Sequence, residues 1–294
     1  MIAIFVSGGL GNQLFQFSLA NQLIHKTKKR VVLDISSFSN PRNSYSRTLE
    51  ILNLARNASL ECLSINGQQI EMSYSKSLIK ARSLGKFRVI YATLVTLVKY
   101  RVLLHPGYFG RTSRVLFLLP ITHLVIPNNF SLNWVKIGLN QDLLNSLVKS
   151  NLETISFNSD SNCVGVHVRR GDYTLQHSIH KVLSKEYYLN AMNLLCEESP
   201  KTNFLIFSDD IEWCKENLTS KQFSLGFVQD SQSLSLIEEF LLLSTFNRII
   251  ISNSTFSLLA AFLGSEKKEV VYPSTWFKDE RPFPFNLPTY WIKK

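Results

Sequence analysis

Between Glu71 and Asp142 the sequence has no acidic residue. The same stretch carries ten basic ones: Lys76, Lys80, Arg82, Lys86, Arg88, Lys99, Arg101, Arg111, Arg114 and Lys136. The formal net charge of the chain is +10, so this segment holds the whole excess and the remainder is balanced. Such a block excludes a surface neutralised by its own carboxylates. It points to an anionic partner, lipid headgroups or nucleic acid, against the plainer reading of a solvated basic face.

Other features are scarce too. The apolar runs at 89–98 and 115–119 fall short of the roughly 20 residues that span a bilayer. That excludes a transmembrane helix there and leaves core helix or a helix lying on an anionic leaflet. Met1–Val6 is apolar but short, has no basic region before it, and is followed at once by Gly8, Gly9, Asn12 and Gln13, which does not fit a secretory signal. Four cysteines, at 62, 163, 196 and 214, make no C-x-x-C pair and no zinc spacing. Reduced thiols in a cytoplasmic protein are therefore expected. There is no D-x-D pair of the kind that holds a divalent cation, and His177 and His180 stand three apart without a third ligand. No metal site is expected. With 45% apolar and 18% charged residues the chain is not disordered. A length of 294 residues favours two domains over one.

What is present is an alternation of strands and helices. Met1–Val6 reads as a strand, 8–11 as a glycine-rich turn, 12–28 as a helix and 31–35 as a second strand. From 36 to 162 no strand order is legible. From 163 the pattern is regular: strands at 163–168, 203–207, 225–228, 248–251 and 269–272, with helices at 184–196, 211–217, 235–245 and 255–263 between them. This predicts an α/β protein with parallel, doubly wound sheets. The polar stretch 156–162 sets the expected boundary, giving domains at 1–158 and 159–294.

The unusual polar residues sit where these strands end. His167, Arg169, Arg170 and Asp172 follow the strand at 163–168, in the stretch GVHVRRGDY at 165–173. Asp209 and Asp210 follow the next strand. Ser252, Asn253, Ser254 and Thr255 end another and open a helix. In open α/β sheets ligands bind beyond the carboxyl ends of strands. A guanidinium binds two phosphate oxygens at once and stays charged, and a helix start offers free N–H groups to an anion. Together these features predict a diphosphate site. The competing readings are an ion pair of Arg169 with Asp172, and plain helix capping by Asp209, Asp210 or Ser254. The turn at 8–13 does not fit G-x-G-x-x-G, since Leu14 takes the last glycine position, so a dinucleotide site is weakly supported.

Four of these stretches in this order, GGLGNQLFQ at 8–16, HVRRGDY at 167–173, FSDD at 207–210 and SNSTFS at 252–257, resemble the bacterial alpha-1,2-fucosyltransferases of glycosyltransferase family 11. The resemblance implies a GT-B type fold, two Rossmann-like domains with parallel sheets facing across a cleft. It implies an inverting transfer of L-fucose from GDP-L-fucose to the 2-hydroxyl of a galactoside in a surface polysaccharide, O-antigen or a similar glycan, with no obligatory metal or cofactor. It places Arg169 on the donor's β-phosphate with Arg170 nearby, His167 by the nucleotide, Ser254 and Thr255 on the phosphates, and Asn12 towards the fucose or pyrophosphate. Glu239 matches a carboxylate that reads guanine, with Glu238 the neighbouring alternative. Gly9, Asp209, Asn253 and Phe256 complete the implied donor set. Asp172 and His167 are the candidates for a general base, and either can instead orient Arg169. The chain departs from the family where Leu258 and Leu259 replace two tryptophans, and where His177 stands at the acidic base position of the related alpha-1,6 enzymes. A lipid-linked acceptor would give the basic segment a use as a peripheral contact on the inner face of the cytoplasmic membrane. The alternatives are another nucleotide-sugar-dependent Rossmann enzyme and, last, a nucleic-acid-binding protein using segment 76–136.

Overall fold

The structure is a computed structural model of the chain. It describes residues 2–6, 8–27, 31–35, 38, 48–51, 54, 64–65, 68–69, 71–73, 103–104, 124–126, 141–152, 162–175, 180–199, 201–228, 234–264, 268–280 and 287–294. The chain divides into two compact units, 1–147 and 148–294.

The first unit starts as its sequence reads. Strand β1 (Ile2–Phe5) leads into helix α1 (Leu10–Thr27) and strand β2 (Val31–Asp34). The helix begins two residues earlier than its spacing predicts, inside the glycine turn. Helix α1 buries Leu14, Phe17, Leu23 and Ile24, and also Gln13, Gln16 and Asn21. Gln13 explains how a polar side chain is tolerated there: its Nε2 donates to the carbonyls of Gly8 and Thr48, and its Oε1 accepts from Ile51 N–H. The region without legible strand order holds β3 (Ser64–Ile65), β4 (Gln68–Gln69), β5 (Glu71–Ser73), β6 (Leu103–Leu104) and β7 (Leu124–Ile126). β3 and β4 pair antiparallel. The others join β1 and β2 in a parallel sheet of order β5-β2-β1-β7-β6.

The second unit opens within helix α2 (Gln141–Leu152). It then alternates β8 (Cys163–Val168), α3 (Gly171–Leu175), α4 (Lys185–Glu198), β9 (Asn203–Ser208), α5 (Ile211–Asn217) and β10 (Ser224–Phe227). Helix α6 (Leu236–Thr245), β11 (Arg248–Ile250), α7 (Thr255–Phe262), β12 (Glu269–Tyr272) and β13 (Ile292–Lys293) complete it. All pairings are parallel, in the order β10-β9-β8-β11-β12-β13. Counted from β8, this is the 3-2-1-4-5-6 order of nucleotide-binding sheets. The strand–helix alternation thus folds as expected into an α/β protein, and two parallel-sheet units are the pair of which the GT-B type consists. Central strand β8 is covered on both faces, so Val164, Val166 and Val168 are buried along with Gly165 and His167. Leu258 and Leu259 of α7 are also in the core, which accounts for two aliphatic side chains at those positions.

A buried lysine ties the two helices that flank β11. Lys268 Nζ donates to the carbonyls of Ser244 (2.5 Å) and Ala260 (3.1 Å), near the carboxyl ends of α6 and α7, where a cation is favoured. Gly264, at φ +86°, passes so close that a Cβ would lie 2.6 Å from the Ser244 carbonyl. Burial pulls the Lys268 ammonium from 10.5 down to about 7. Above pH 7 the folded chain loses a proton that the unfolded chain keeps until about pH 10. Stability therefore rises with pH across that window. The urea midpoint is expected to show a positive contribution between pH 7 and 9 that Lys268→Met removes. Equal pH slopes in the two proteins would contradict this.

Candidate functional site

Strand order reverses direction between β8 and β11, and a crevice opens beyond the carboxyl ends of strands at such a point. Two loops meet there: Arg169–Arg170 after β8, and Ser252–Ser254 after β11. Their register is fixed by the sheet. Gly165 pairs with Ile249 and Val166 with Ile250 on one side. On the other side His167 pairs with Phe207 and Val168 with Ser208. One more step brings Arg169 level with Asp209.

The β8 and β9 ends form one charged cluster. Arg169 is gripped from both sides, by Asp172 Oδ1 at 2.5 Å and by Asp209 Oδ2 at 2.6 Å. Arg170 points elsewhere. Its Nε donates to Asp210 Oδ2 at 3.1 Å, its guanidinium lies 3.7 Å from the centre of the Trp213 ring, and its backbone N–H donates to Asp209 Oδ1 at 2.9 Å. Asp210 also caps α5 by accepting from Trp213 N–H. Asp210 is thus the cap that the sequence allowed and, in addition, an ion-pair partner of Arg170. Gly171 gives Asp209 its room, for a Cβ there would lie 2.5 Å from Asp209 Oδ2. Trp213 had no signal in the sequence, since it stands on α5 far along the chain from the arginine it supports. Tyr173 stood inside the motif without a role. Its hydroxyl donates to the Asn253 carbonyl at 3.2 Å, and Arg169 lies 5.4 Å from its ring centre.

The β11 side is built around His167 and Asn253. His167 Nδ1 and Ser252 Oγ are 2.8 Å apart, and the imidazole stacks on Phe256 at 5.0 Å. Burial, then the charge of Arg169, hold the imidazole down at about 3. It is neutral at physiological pH, and taking a proton there opposes both burial and the arginine. Asn253 Nδ2 donates to the carbonyls of Lys181 (2.7 Å) and Trp276 (2.8 Å), so this side chain locks the loop. Ser254 Oγ accepts from Phe256 N–H and caps α7. Thr255 follows as the first residue of that helix.

Glu239 and Glu238 separate cleanly. Glu238 accepts from Ser235 N–H at 2.7 Å while Ser235 Oγ accepts from Glu238 N–H, a capping box that occupies Glu238 at the start of α6. Glu239 is half-buried, and its carboxyl is pushed up to about 7 by burial and then by the negative Asp209. Glu239 therefore feels the charge of Asp209, the partner of Arg169.

Gly9 and Asn12 belong to the first unit. Asn12 lies on α1 and is partly exposed. A Cβ on Gly8, at φ +89°, would collide with the Asn12 side chain, whereas one on Gly9 would meet nothing within 4 Å. His177 and the ten cations of segment 76–136 lie outside the described residues. Among the described residues no group of three or more His, Cys, Asp or Glu side chains is arranged to hold a metal ion. Likewise, no helix among them is long and apolar enough to cross a membrane.

The profile of the family described as Glycosyl transferase family 11 matches residues 135–286, which include the whole β8, β9, α6 and β11–α7 constellation. The chain belongs to glycosyltransferase family 11. It is similar to the O-antigen biosynthesis glycosyltransferase WbnK of Escherichia coli, at 31% identity over 92% of this chain and 93% of that protein. It is similar to an alpha-1,2-colitosyltransferase of Escherichia coli, at 32% identity over 45% of this chain and 48% of that protein. A shorter stretch, 34% of this chain and 28% of the other, is 36% identical to the human galactoside alpha-(1,2)-fucosyltransferase 1. The strand reversal, with Arg169 after β8 and the capped start of α7 after β11, is the place where open α/β sheets bind ligands.

Proposed function

We propose that this family 11 enzyme transfers L-fucose from GDP-L-fucose to the 2-hydroxyl of a galactoside, with inversion, in assembling an O-antigen or a similar glycan. The observation that carries the reading is the strand reversal itself, with Arg169 following β8 and the capped start of α7 following β11. As the acceptor hydroxyl attacks the anomeric carbon, the bond to the β-phosphate oxygen breaks and negative charge grows on that phosphate. A guanidinium and a helix start held beside it stabilise the transition state more than the ground state. The reading assigns this neutralisation to the protein alone and needs no metal ion. Asp172 orients Arg169, His167 holds Ser252 and faces the nucleotide, and Glu239 accepts the N1–H and N2–H2 of guanine. Ser254, Thr255 and Phe256 line the phosphate side. On the same reading the acceptor is a lipid-linked repeat, and the basic segment 76–136 rests on an anionic membrane at the cytoplasmic face.

The names of the relatives support the sugar class, and the colitosyl name makes the donor sugar the finer question. The test is GDP release with GDP-fucose and with GDP-linked colitose against a panel of β-galactosides, the product linkage being assigned by NMR. An alpha-1,2-linked fucosyl product is expected. A folded protein that binds GDP yet releases none from GDP-fucose with any galactoside would overturn the reading.

A further inference from the structure

The charges around Arg169 are not those of a site waiting open for a diphosphate. Arg169 and Arg170 supply two positive charges, and Asp172, Asp209 and Asp210 supply three negative ones through ion pairs of 2.5 to 3.1 Å. The formal charge of these five side chains is −1, and the Asp209 charge also acts on the Glu239 carboxyl. A diphosphate brought to Arg169 adds at least two more negative charges in a partly buried place. That is costly unless a carboxylate gives way.

The geometry singles out which one. Asp210 is committed to Arg170 and to the cap of α5. Asp172 stands three residues from Arg169 on the same turn of chain and moves with it. Asp209 follows β9, and its pair with Arg169 ties the guanidinium to the β9 side of β8. Its side chain is also the more exposed of the two that grip Arg169, at 28% against 15% for Asp172. It therefore loses least by turning to water. Its Oδ1 has an anchor of its own in Arg170 N–H, and Gly171 leaves the space in which Oδ2 lodges.

Resting on the GDP-donor reading, we propose that Asp209 is a built-in competitor for the donor's phosphate. Its carboxylate pairs with Arg169 and has to yield it when a diphosphate binds. Asp209 is thus a positioning residue: it keeps the arginine ordered and screens it from weakly bound anions, at the expense of donor affinity.

The opposite assignment, Asp209 as a donor-binding group, predicts the opposite sign, so calorimetric titration with GDP and with guanosine decides. Asp209→Asn keeps the Oδ1 acceptor for Arg170 N–H and removes the charge facing Arg169. Asp209→Ser is a second variant with a shorter acceptor. Measurement at about pH 8.5 keeps Glu239 ionised throughout. The dissociation constant for GDP is expected to fall roughly two- to fivefold in both variants, the range for releasing a partly exposed ion pair. That for guanosine is expected to stay unchanged. The gain should vanish in the Arg169→Ala background. Unchanged or weaker GDP binding by variants that melt like the wild type would overturn the proposal. So would an equal gain for guanosine, or a gain that persists without Arg169. A wild type that does not bind GDP at all would overturn the donor reading and this inference with it.

Discussion

Arg169→Ala is expected to lower kcat/KM for transfer from GDP-fucose by about 10³-fold or more, the range seen when a charge-stabilising donor is removed from a transition state. The argument rests on where the charge goes. No proton need reach the leaving phosphate if a fixed cation stands beside it, and on the GDP-donor reading Arg169 after β8 is that cation. Arg170 cannot replace it, because it is pinned under Asp210 and stacked on Trp213. The fold should survive the change. Arg169, Asp172 and Asp209 all retain contact with solvent, so the two carboxylates left behind can be hydrated, and the loss of stability should stay near 1–2 kcal/mol. Arg169→Lys keeps the charge but not the planar fork that grips two oxygens, and should fall between the two. The measurements are kcat/KM at saturating acceptor and the melting temperature of each variant. Near-normal turnover by a folded Arg169→Ala protein would remove the arginine from the mechanism.

Much of the second unit was legible because its strands are long enough to show a pattern. The apolar run at 163–168 and the helix at 211–217 match their observed bounds, and helix starts at 184 and 235 prove to be the caps Ser184 and Ser235. The first unit was not legible beyond β2: β5, β6 and β7 are only two or three residues long and, unlike the equally short β11, stand in a stretch whose sequence shows no regular alternation of strands and helices. β13, two residues at the sheet edge, was missed for the same reason. In the site, sequence offered the local pair of Arg169 with Asp172, which the structure shows, but could not pair charges across strand ends. Whether Asp209 or Asp210 faced Arg169 depended on the register of β8 against β9, which is a long-range property. The choice between Glu238 and Glu239 was different. Ser235-x-x-Glu238 is a capping-box pattern, so the sequence did carry the sign that Glu238 was occupied. Trp213 beneath Arg170 had no such sign, since nothing local to either residue announces a stack between separate elements.

Glu239 makes a prediction in which affinity and stability move in opposite directions. Burial, then the charge of Asp209, push its carboxyl up to about 7 from an ordinary 4.5. If it accepts N1–H and N2–H2 from guanine, it must be ionised to do so, and below pH 7 GDP binding has to expel a proton first. The dissociation constant for GDP should therefore be roughly tenfold weaker at pH 6 than at pH 8, levelling above pH 7. Glu239→Gln replaces one of the two acceptor oxygens by a donor that faces another donor. It should weaken GDP binding about 10- to 100-fold at pH 8, as expected for losing a charge-assisted bond and leaving a polar group unpaired, and its pH dependence should be flat. Folding responds with the other sign. A carboxyl whose proton is held up to pH 7 in the folded chain, but only to about 4.5 when unfolded, costs stability as pH rises through that window. Removing it should leave the folded protein more stable at neutral pH. A residue kept at a cost to the fold, and whose loss raises the melting temperature while GDP affinity collapses, is there for its ligand. A variant that melts lower and binds GDP as well as the wild type would instead make Glu239 a structural residue of α6.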